Sequence, residues 1–355
     1  MARAAAPTLA ALLDRLTVEG TLYERLDAGK VRCLACGHRC VIFPGRRGVC
    51  RVRFNDRGVL RVPWGYVAAL QCDPIEKKPF FHAHPGALAL TFGMLGCDYR
   101  CPGCQNWVTS QALRDPAAGA APIPVSPADI VRLAIRQGAR FVVSSYNEPL
   151  ITTEWALAIF REAKAAGLRT GYVSNGNATA EALSALRPWN DGFKIDLKSF
   201  DDRTYRLLGG VLARVLETIR RAHAMGFWTE IVTLVIPDFN DRDDELRAIA
   251  EFIASVSPLI PWHVTAFHAD YKMMDRADTP PETLLRAAQI GEAAGLRYVY
   301  AGNRPGRVGR YEHTFCHHCG TLLVERRGYA VLRDRLSPQR GRCPDCGTVI
   351  PGIWT

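Results

Sequence analysis

The chain has 355 residues, of which 48% are hydrophobic and 23% charged, with a formal net charge of +10. That length suits one large core with appendages. The composition excludes a disordered or fibrous chain, and charged residues interrupt every apolar stretch before it reaches membrane-spanning length.

In chain order, residues 1–13 are Ala-rich but lack the apolar core and cleavage pattern of a secretory signal, so a cytoplasmic protein with no membrane partner is expected. Leu9, Leu12, Leu13 and Leu16 recur at helical spacing and predict a short amphipathic helix. Cys33, Cys36, Cys40 and Cys50 follow, interleaved with Gly37, Gly45 and Gly48, as a turn-rich metal knuckle. Residues 59–81 are strand-like and then carry a proline-bounded charged string, Asp73-Pro74-Ile75-Glu76-Lys77-Lys78-Pro79, preceded by Cys72, which reads as a small buried hydrophobe.

From residue 87 to 301 short apolar runs alternate with helical patterns. Strands are predicted at 88–95, 140–145, 169–174, 192–197, 229–236, 263–267 and 298–300, and helices at 128–137, 152–166, 178–186, 211–225, 243–255 and 281–294. Ser126, Pro127 and Asp129 carry the capping-box signature of the first of these helices. Such alternation implies right-handed βαβ units, a parallel sheet and a partial or full (β/α) barrel, with functional residues at the C-terminal strand ends. After Gly306 the rhythm stops, and Cys316, Cys319, Cys343 and Cys346 form two Cys-x-x-Cys knuckles. The expected division is an N-terminal helix and cysteine-rich metal-binding segment (1–85), an α/β core (86–304) and a zinc-ribbon-like module (305–355).

Twelve cysteines in a long chain without a secretory signal point to metal ligation rather than disulfides. Cys97, Cys101 and Cys104 lie directly after the first predicted barrel strand. Three thiolates bind three irons of a [4Fe-4S] cubane and leave the fourth iron open, whereas clusters that only carry electrons usually have four. S-adenosylmethionine (SAM) can fill the open position, and its reductive cleavage gives methionine and a 5′-deoxyadenosyl radical that abstracts hydrogen. A zinc site with a distant fourth ligand is the alternative for this loop. The Cys316–Cys346 pairs predict Zn²⁺ in a closed tetrahedral site. The spacing of Cys33, Cys36, Cys40 and Cys50 fits either Zn²⁺ or a second iron-sulfur cluster, and the absence of adjacent ferredoxin repeats favours zinc. His38, His317 and His318 lie close enough to compete, but cysteine is the preferred ligand.

Cys97-Asp98-Tyr99-Arg100-Cys101-Pro102-Gly103-Cys104, followed by Gln105-Asn106-Trp107, resembles the cluster motif of the radical SAM superfamily. The wider pattern resembles the AmmeMemoRadiSam-system radical SAM enzymes, which are related to pyruvate formate-lyase-activating enzymes. It extends over the first knuckle, the Asp73–Pro79 string, Ser145-Tyr146-Asn147-Glu148-Pro149, Lys194-Ile195-Asp196-Leu197-Lys198, Pro261-Trp262-His263-Val264, Val299-Tyr300-Ala301-Gly302-Asn303 and the terminal ribbon. The resemblance implies an α/β fold, a radical SAM partial (β/α) barrel. It also implies that Glu148 receives the SAM ammonium with Asn147 in support, that Asn175 meets the SAM carboxylate or ribose, and that Asp196, Lys198 and His268 contact SAM. Strand period places Asp196 and Lys198 on one face, where a structural ion pair is the competing reading. Many family members carry an aromatic residue before the third cysteine; here it is Gly103, so the adenine contact is expected either to be lost or to be supplied elsewhere, by Tyr99 or Trp107.

The same resemblance implies a ferredoxin or flavodoxin as electron donor and a protein substrate or partner from the same gene system. Two other readings remain. One is a glycyl-radical-enzyme activase, although its upstream signature is not recognisable. The other is a non-catalytic metal-bearing RNA-binding module, against which the dispersed Lys and Arg and the anionic thiolate sites both argue.

Overall fold

The computed structural model describes residues 7–354. The strand-helix alternation folds as one eight-stranded sheet. Its strands are β1 (Ala69–Pro74), β2 (Leu88–Gly93), β3 (Phe141–Ser144), β4 (Arg169–Ser174), β5 (Gly192–Asp196), β6 (Trp228–Val235), β7 (Trp262–Ala266) and β8 (Val299–Gly302), in that spatial order. Strands β2 to β8 run parallel, and β1 pairs antiparallel on the outer side of β2. Because β1 and β8 are the two ends of the sheet, the barrel is partial.

Every strand and helix predicted between residues 87 and 301 lies within two residues of the observed one. Strand β1 comes from the strand-like stretch 59–81, inside the expected N-terminal segment 1–85, so the sheet begins before the boundary at residue 85. Short elements that were not anticipated include the helix Trp107–Ser110, the strand Ile123–Pro124 and the helix Asp202–Leu208, which precedes the long Leu212–Ala224 helix. The parallel strands are covered by helices outside and are rich in buried apolar residues, whereas several of their inward positions, Lys194, Asp196 and His263 among them, are polar and line the cavity. Phe141, Val142 and Val143 of β3 are all buried. Burying a side chain such as Phe141 stabilises the fold by roughly 1.5–3 kcal/mol. The Pro127–Arg136 helix starts as its sequence requires: Ser126 Oγ accepts from Asp129 N at 3.2 Å, and Asp129 Oδ2 accepts from Ser126 N at 3.2 Å.

The N-terminal segment forms two small antiparallel sheets against the barrel. Arg53 fastens it to the Thr153–Ala165 helix by two parallel bonds, Nη1 to Glu154 Oε2 at 2.8 Å and Nη2 to Oε1 at 2.7 Å, both residues being buried. The terminal ribbon, β9 (Thr314–Phe315), β10 (Leu322–Arg327) and β11 (Ala330–Asp334), shares a hydrophobic core with Phe81, Tyr298 and Tyr300 of the barrel. Among the described residues no helix is long and apolar enough to cross a membrane.

Candidate functional site

The C-terminal strand ends surround a cavity of about 410 Å³. The loop after β2 delivers Cys101 and Cys104 to it, and β5 delivers Lys194, Asp196 and, just beyond its end, Lys198. Three alternate positions of one strand share a face, and all three are charged. Lys198 Nζ lies 2.9 Å from Asp196 Oδ2, and Lys194 Nζ bonds the other carboxylate oxygen. Burial pushes the Asp196 carboxyl up, but the two ammonium groups outweigh it and hold Asp196 well below the usual carboxylate range. Lys194 was not singled out as a site residue, although it stands on the same period-two face.

Cys97, Cys101 and Cys104 follow one another in a single short loop. Tyr99 N donates to Cys97 Sγ at 3.3 Å, and Ser110 Oγ lies 3.2 Å from Cys104 Sγ. Burial pushes the Cys101 thiol up to about 12, with Lys198 acting against it. Such a thiol releases its proton on binding a cation or cluster rather than as free thiolate. Three thiols in one loop, two of them on the cavity, with Tyr99 N donating to one sulfur and the Ser110 hydroxyl beside another, are a donor set that would hold a [4Fe-4S] cluster.

Asn147, Glu148 and Asn175 stand behind this wall as a buried network. Glu148, just after β3, accepts from Leu150 N at 3.0 Å, Ser174 Oγ at 2.7 Å and Asn175 N at 2.7 Å. Asn175 Nδ2 donates to Asp98 Oδ1 at 2.7 Å, and Asn147 Oδ1 accepts from Met94 N at 2.9 Å. Burial first, and then the charge of Asp98, push the Glu148 carboxyl up to about 8. Among the described residues no lysine or arginine pairs with either of these two buried acids, so a cation is favoured there. Asp98, hidden inside the cysteine motif, is the residue missed here, and its only signal was its position after Cys97.

His268 is exposed and lies outside the cavity lining. The residues considered for an adenine contact are also placed. Tyr99 is buried, with its ring edge-on to Tyr205 at 6.5 Å, and Trp107 stacks on Tyr271 at 5.1 Å. Gly103 is glycine for a local reason: a Cβ there would stand 2.8 Å from Met273 Sδ and 3.2 Å from the Phe267 ring.

The opening between β1 and β8 is closed by the Asp73–Pro79 string and the ribbon. Lys78, only 5% exposed, reaches Asp73 Oδ2 at 3.2 Å and the Tyr146 hydroxyl at 3.3 Å from the cavity lining. Tyr329, from the turn between β10 and β11, lines the same cavity and donates to Asn303 Oδ1 at 2.9 Å beyond β8. Deeper in, His263 Nε2 lies 2.7 Å from Glu230 Oε2, and Glu230 also accepts from Phe81 N and His82 N, each at 3.0 Å. In the ribbon the four sulfurs of Cys316, Cys319, Cys343 and Cys346 all lie within 4.8 Å of one another, a group able to hold a metal.

Comparison with known proteins gives three kinds of likeness. The family description "Radical SAM superfamily" matches residues 92–253. An uncharacterized protein of Methanocaldococcus jannaschii is 38% identical over 337 residues, 94% of this chain and 98% of that protein. The isethionate sulfite-lyase activating enzyme of Oleidesulfovibrio alaskensis is 30% identical over 42% of this chain and 50% of its own length. The pyruvate formate-lyase-activating enzyme of Staphylococcus aureus is 25% identical over 58% of this chain and 88% of its own. Among solved structures, a radical SAM methyltransferase from Sphaerobacter thermophilus aligns with a TM-score of 0.48 at 14% identity, covering 86% of this chain and 81% of that one.

Proposed function

The chain belongs to the radical SAM superfamily, and on that premise we propose that it binds a [4Fe-4S] cluster through Cys97, Cys101 and Cys104 and uses SAM to abstract hydrogen from a substrate held in the barrel cavity. When bound, the reduced cluster supplies the electron that splits SAM into methionine and a 5′-deoxyadenosyl radical. The observation that carries this reading is the three-cysteine loop opening onto a cavity that the Lys194–Asp196–Lys198 triad also lines.

The chain's own residues then divide the work. Lys198 offers an ammonium to the SAM carboxylate, and Asp196 accepts from its polar groups; being ionised throughout the physiological range, both are suited to charge-assisted bonds. Glu148, buried behind the cavity lining, is assigned the SAM ammonium on the family resemblance, and a cation arriving there draws off the proton that burial and Asp98 hold on its carboxyl. Asn147 and Asn175 position the cluster loop through Met94 and Asp98 rather than touching SAM. His268, exposed and away from the cavity, is left out of this assignment. The wall formed by Lys78, Tyr146 and Tyr329 faces the substrate. The ribbon holds Zn²⁺, a flavodoxin or ferredoxin in the cytoplasm supplies the electron, and the resemblance to the AmmeMemoRadiSam-system enzymes makes a protein encoded alongside it the natural partner. A glycyl-radical-enzyme activase is the second reading, favoured by the activating enzymes among its relatives.

The test is SAM turnover by the anaerobically reconstituted, reduced protein. Release of 5′-deoxyadenosine that disappears when any one of Cys97, Cys101 or Cys104 is replaced by Ala is the expected result. Full turnover in the triple variant would overturn the proposal. Tracing deuterium into deoxyadenosine from small molecules and from candidate protein partners then separates the two substrate classes.

A further inference from the structure

The knuckle of Cys33, Cys36, Cys40 and Cys50 takes no part in the chemistry above, yet it is built against the catalytic loop. Cys36 bridges to Ala178, and Gly37 N donates to Asn177 O at 2.7 Å; a Cβ on Gly37 would collide with the Asn177 side chain. Asn177 Nδ2 in turn donates to Asp98 Oδ2 at 2.8 Å, and His38 Nε2 stands 3.8 Å from that same oxygen. Asp98 directly follows Cys97. One layer of hydrogen bonds therefore separates the knuckle from the catalytic cysteines, and Cys33, Cys36 and Cys50 are buried in it.

Sulfur spacing distinguishes a single ion from a cluster. With metal–sulfur bonds of about 2.3 Å, a tetrahedral ion draws its four sulfurs to about 3.8 Å apart. The ribbon meets that demand, since Cys316 Sγ lies 3.6 Å from Cys346 Sγ and Cys319 Sγ 3.6 Å from Cys343 Sγ. Among the described residues neither the knuckle cysteines nor the three of the catalytic loop form so tight a group. A cubane places iron and sulfide corners between its thiolates and needs the wider set.

A second observation concerns the surface beside the knuckle. A groove of about 800 Å³ is lined by Arg47 and Arg51 of the knuckle's last turn, Arg100 of the catalytic loop and Arg114, with Asp98. Arg47 is paired with Asp14, but Arg51 donates to the Leu113 carbonyl and Arg114 to the Val49 and Tyr99 carbonyls and the Gln111 amide oxygen, all neutral acceptors, and among the described residues no carboxylate lies within ion-pair distance of Arg51, Arg100 or Arg114. Uncompensated arginines around a groove attract an acidic surface.

We propose that Cys33, Cys36, Cys40 and Cys50 hold a second [4Fe-4S] cluster, which takes its electron from an acidic one-electron carrier protein seated on the arginine groove. One electron from the reduced carrier takes this cluster from its 2+ to its 1+ state, and passing it to the catalytic cluster returns it to 2+; no atom is transferred. The use of that electron rests on the radical SAM reading, whereas the presence of the cluster does not.

The experiment is a metal count on full-length protein. After anaerobic reconstitution, the Cys97→Ala/Cys101→Ala/Cys104→Ala variant is expected to keep about four irons with a reducible, paramagnetic cluster signal, beside one zinc, while the unaltered chain holds about eight irons. Should the variant fail to fold, Cys36→Ser in the otherwise intact chain replaces it, with the iron count falling by about half. Two zincs per chain, with no iron in the triple variant or only four irons in the unaltered protein, would overturn the proposal. An unaltered protein with eight irons that releases no deoxyadenosine would refute the catalytic reading and leave this one standing.

Discussion

Arg326 of the ribbon reaches Glu76 behind strand β1, Nε to Oε1 3.4 Å, and both side chains are fully buried. Arg326 also donates to Thr314 Oγ1 and to Phe81 O, each at 2.8 Å, and lies over the Phe81 ring. Removing one partner of a buried pair leaves an uncompensated charge, which costs about 3–5 kcal/mol. Arg326→Ala should lower stability by that amount and expose the ribbon to protease. Denaturant unfolding with limited proteolysis checks this, and a loss under 1 kcal/mol would mean that the ribbon is held mainly by its apolar core.

Ribbon metal and cavity wall should be coupled. Tyr329 stands on the turn of the β10–β11 hairpin, and Ala83 pairs with Ile353 beyond the last cysteine knuckle. In protein whose four ribbon cysteines have been loaded with metal, extraction by a chelator is expected to raise amide hydrogen exchange at residues 81–84 as well as in the ribbon. Exchange confined to the ribbon would show the two to be independent.

SAM recognition separates the two kinds of charged residue. Glu148→Gln and Asp196→Asn each remove a charge-assisted hydrogen bond, worth about 1.5–3 kcal/mol, or roughly ten- to a hundredfold in SAM affinity, at unchanged iron content. Asp196→Asn should also release Lys194 and Lys198 from their shared carboxylate. If Asp196 only neutralises these lysines, thermal stability falls and SAM affinity does not. Equilibrium binding and melting curves on the same preparations distinguish the outcomes.

Acid should loosen the junction between barrel and ribbon. His82 is buried, with Nδ1 2.7 Å from Pro351 O and Nε2 2.7 Å from the Tyr300 hydroxyl, and burial pushes its imidazole down to about 4. The unfolded chain takes up this proton near pH 6.5, so between about 4 and 6.5 unfolding is favoured by proton binding. The stability contributed by neutral His82 is complete above about 6.5 and is lost as pH falls toward 4, about 3 kcal/mol in all. His82→Gln, neutral at every pH, should flatten this part of the stability curve; equal slopes for both proteins would remove His82 as the cause.

Much of this protein was legible in the sequence because its signals are local. The strand and helix periods between residues 87 and 301, the Ser126 cap, the three-cysteine loop and the two Cys-x-x-Cys knuckles each depend on neighbours a few positions apart, and each appears where it was expected. Period two alone placed Asp196 and Lys198 together. Tertiary structure decided what depends on residues far apart in the chain. It set Asp98, Glu148, Asn175 and Asn177 around one buried carboxylate pair. It left His268 in solvent, although its position after a barrel strand pointed inward. It joined Glu76 to Arg326 across 250 residues, turning a charged string and a remote ribbon into one wall of the cavity. Local propensity and spacing are properties of a segment, whereas the pairing of buried charges is chosen by which groups the closed fold removes from water together.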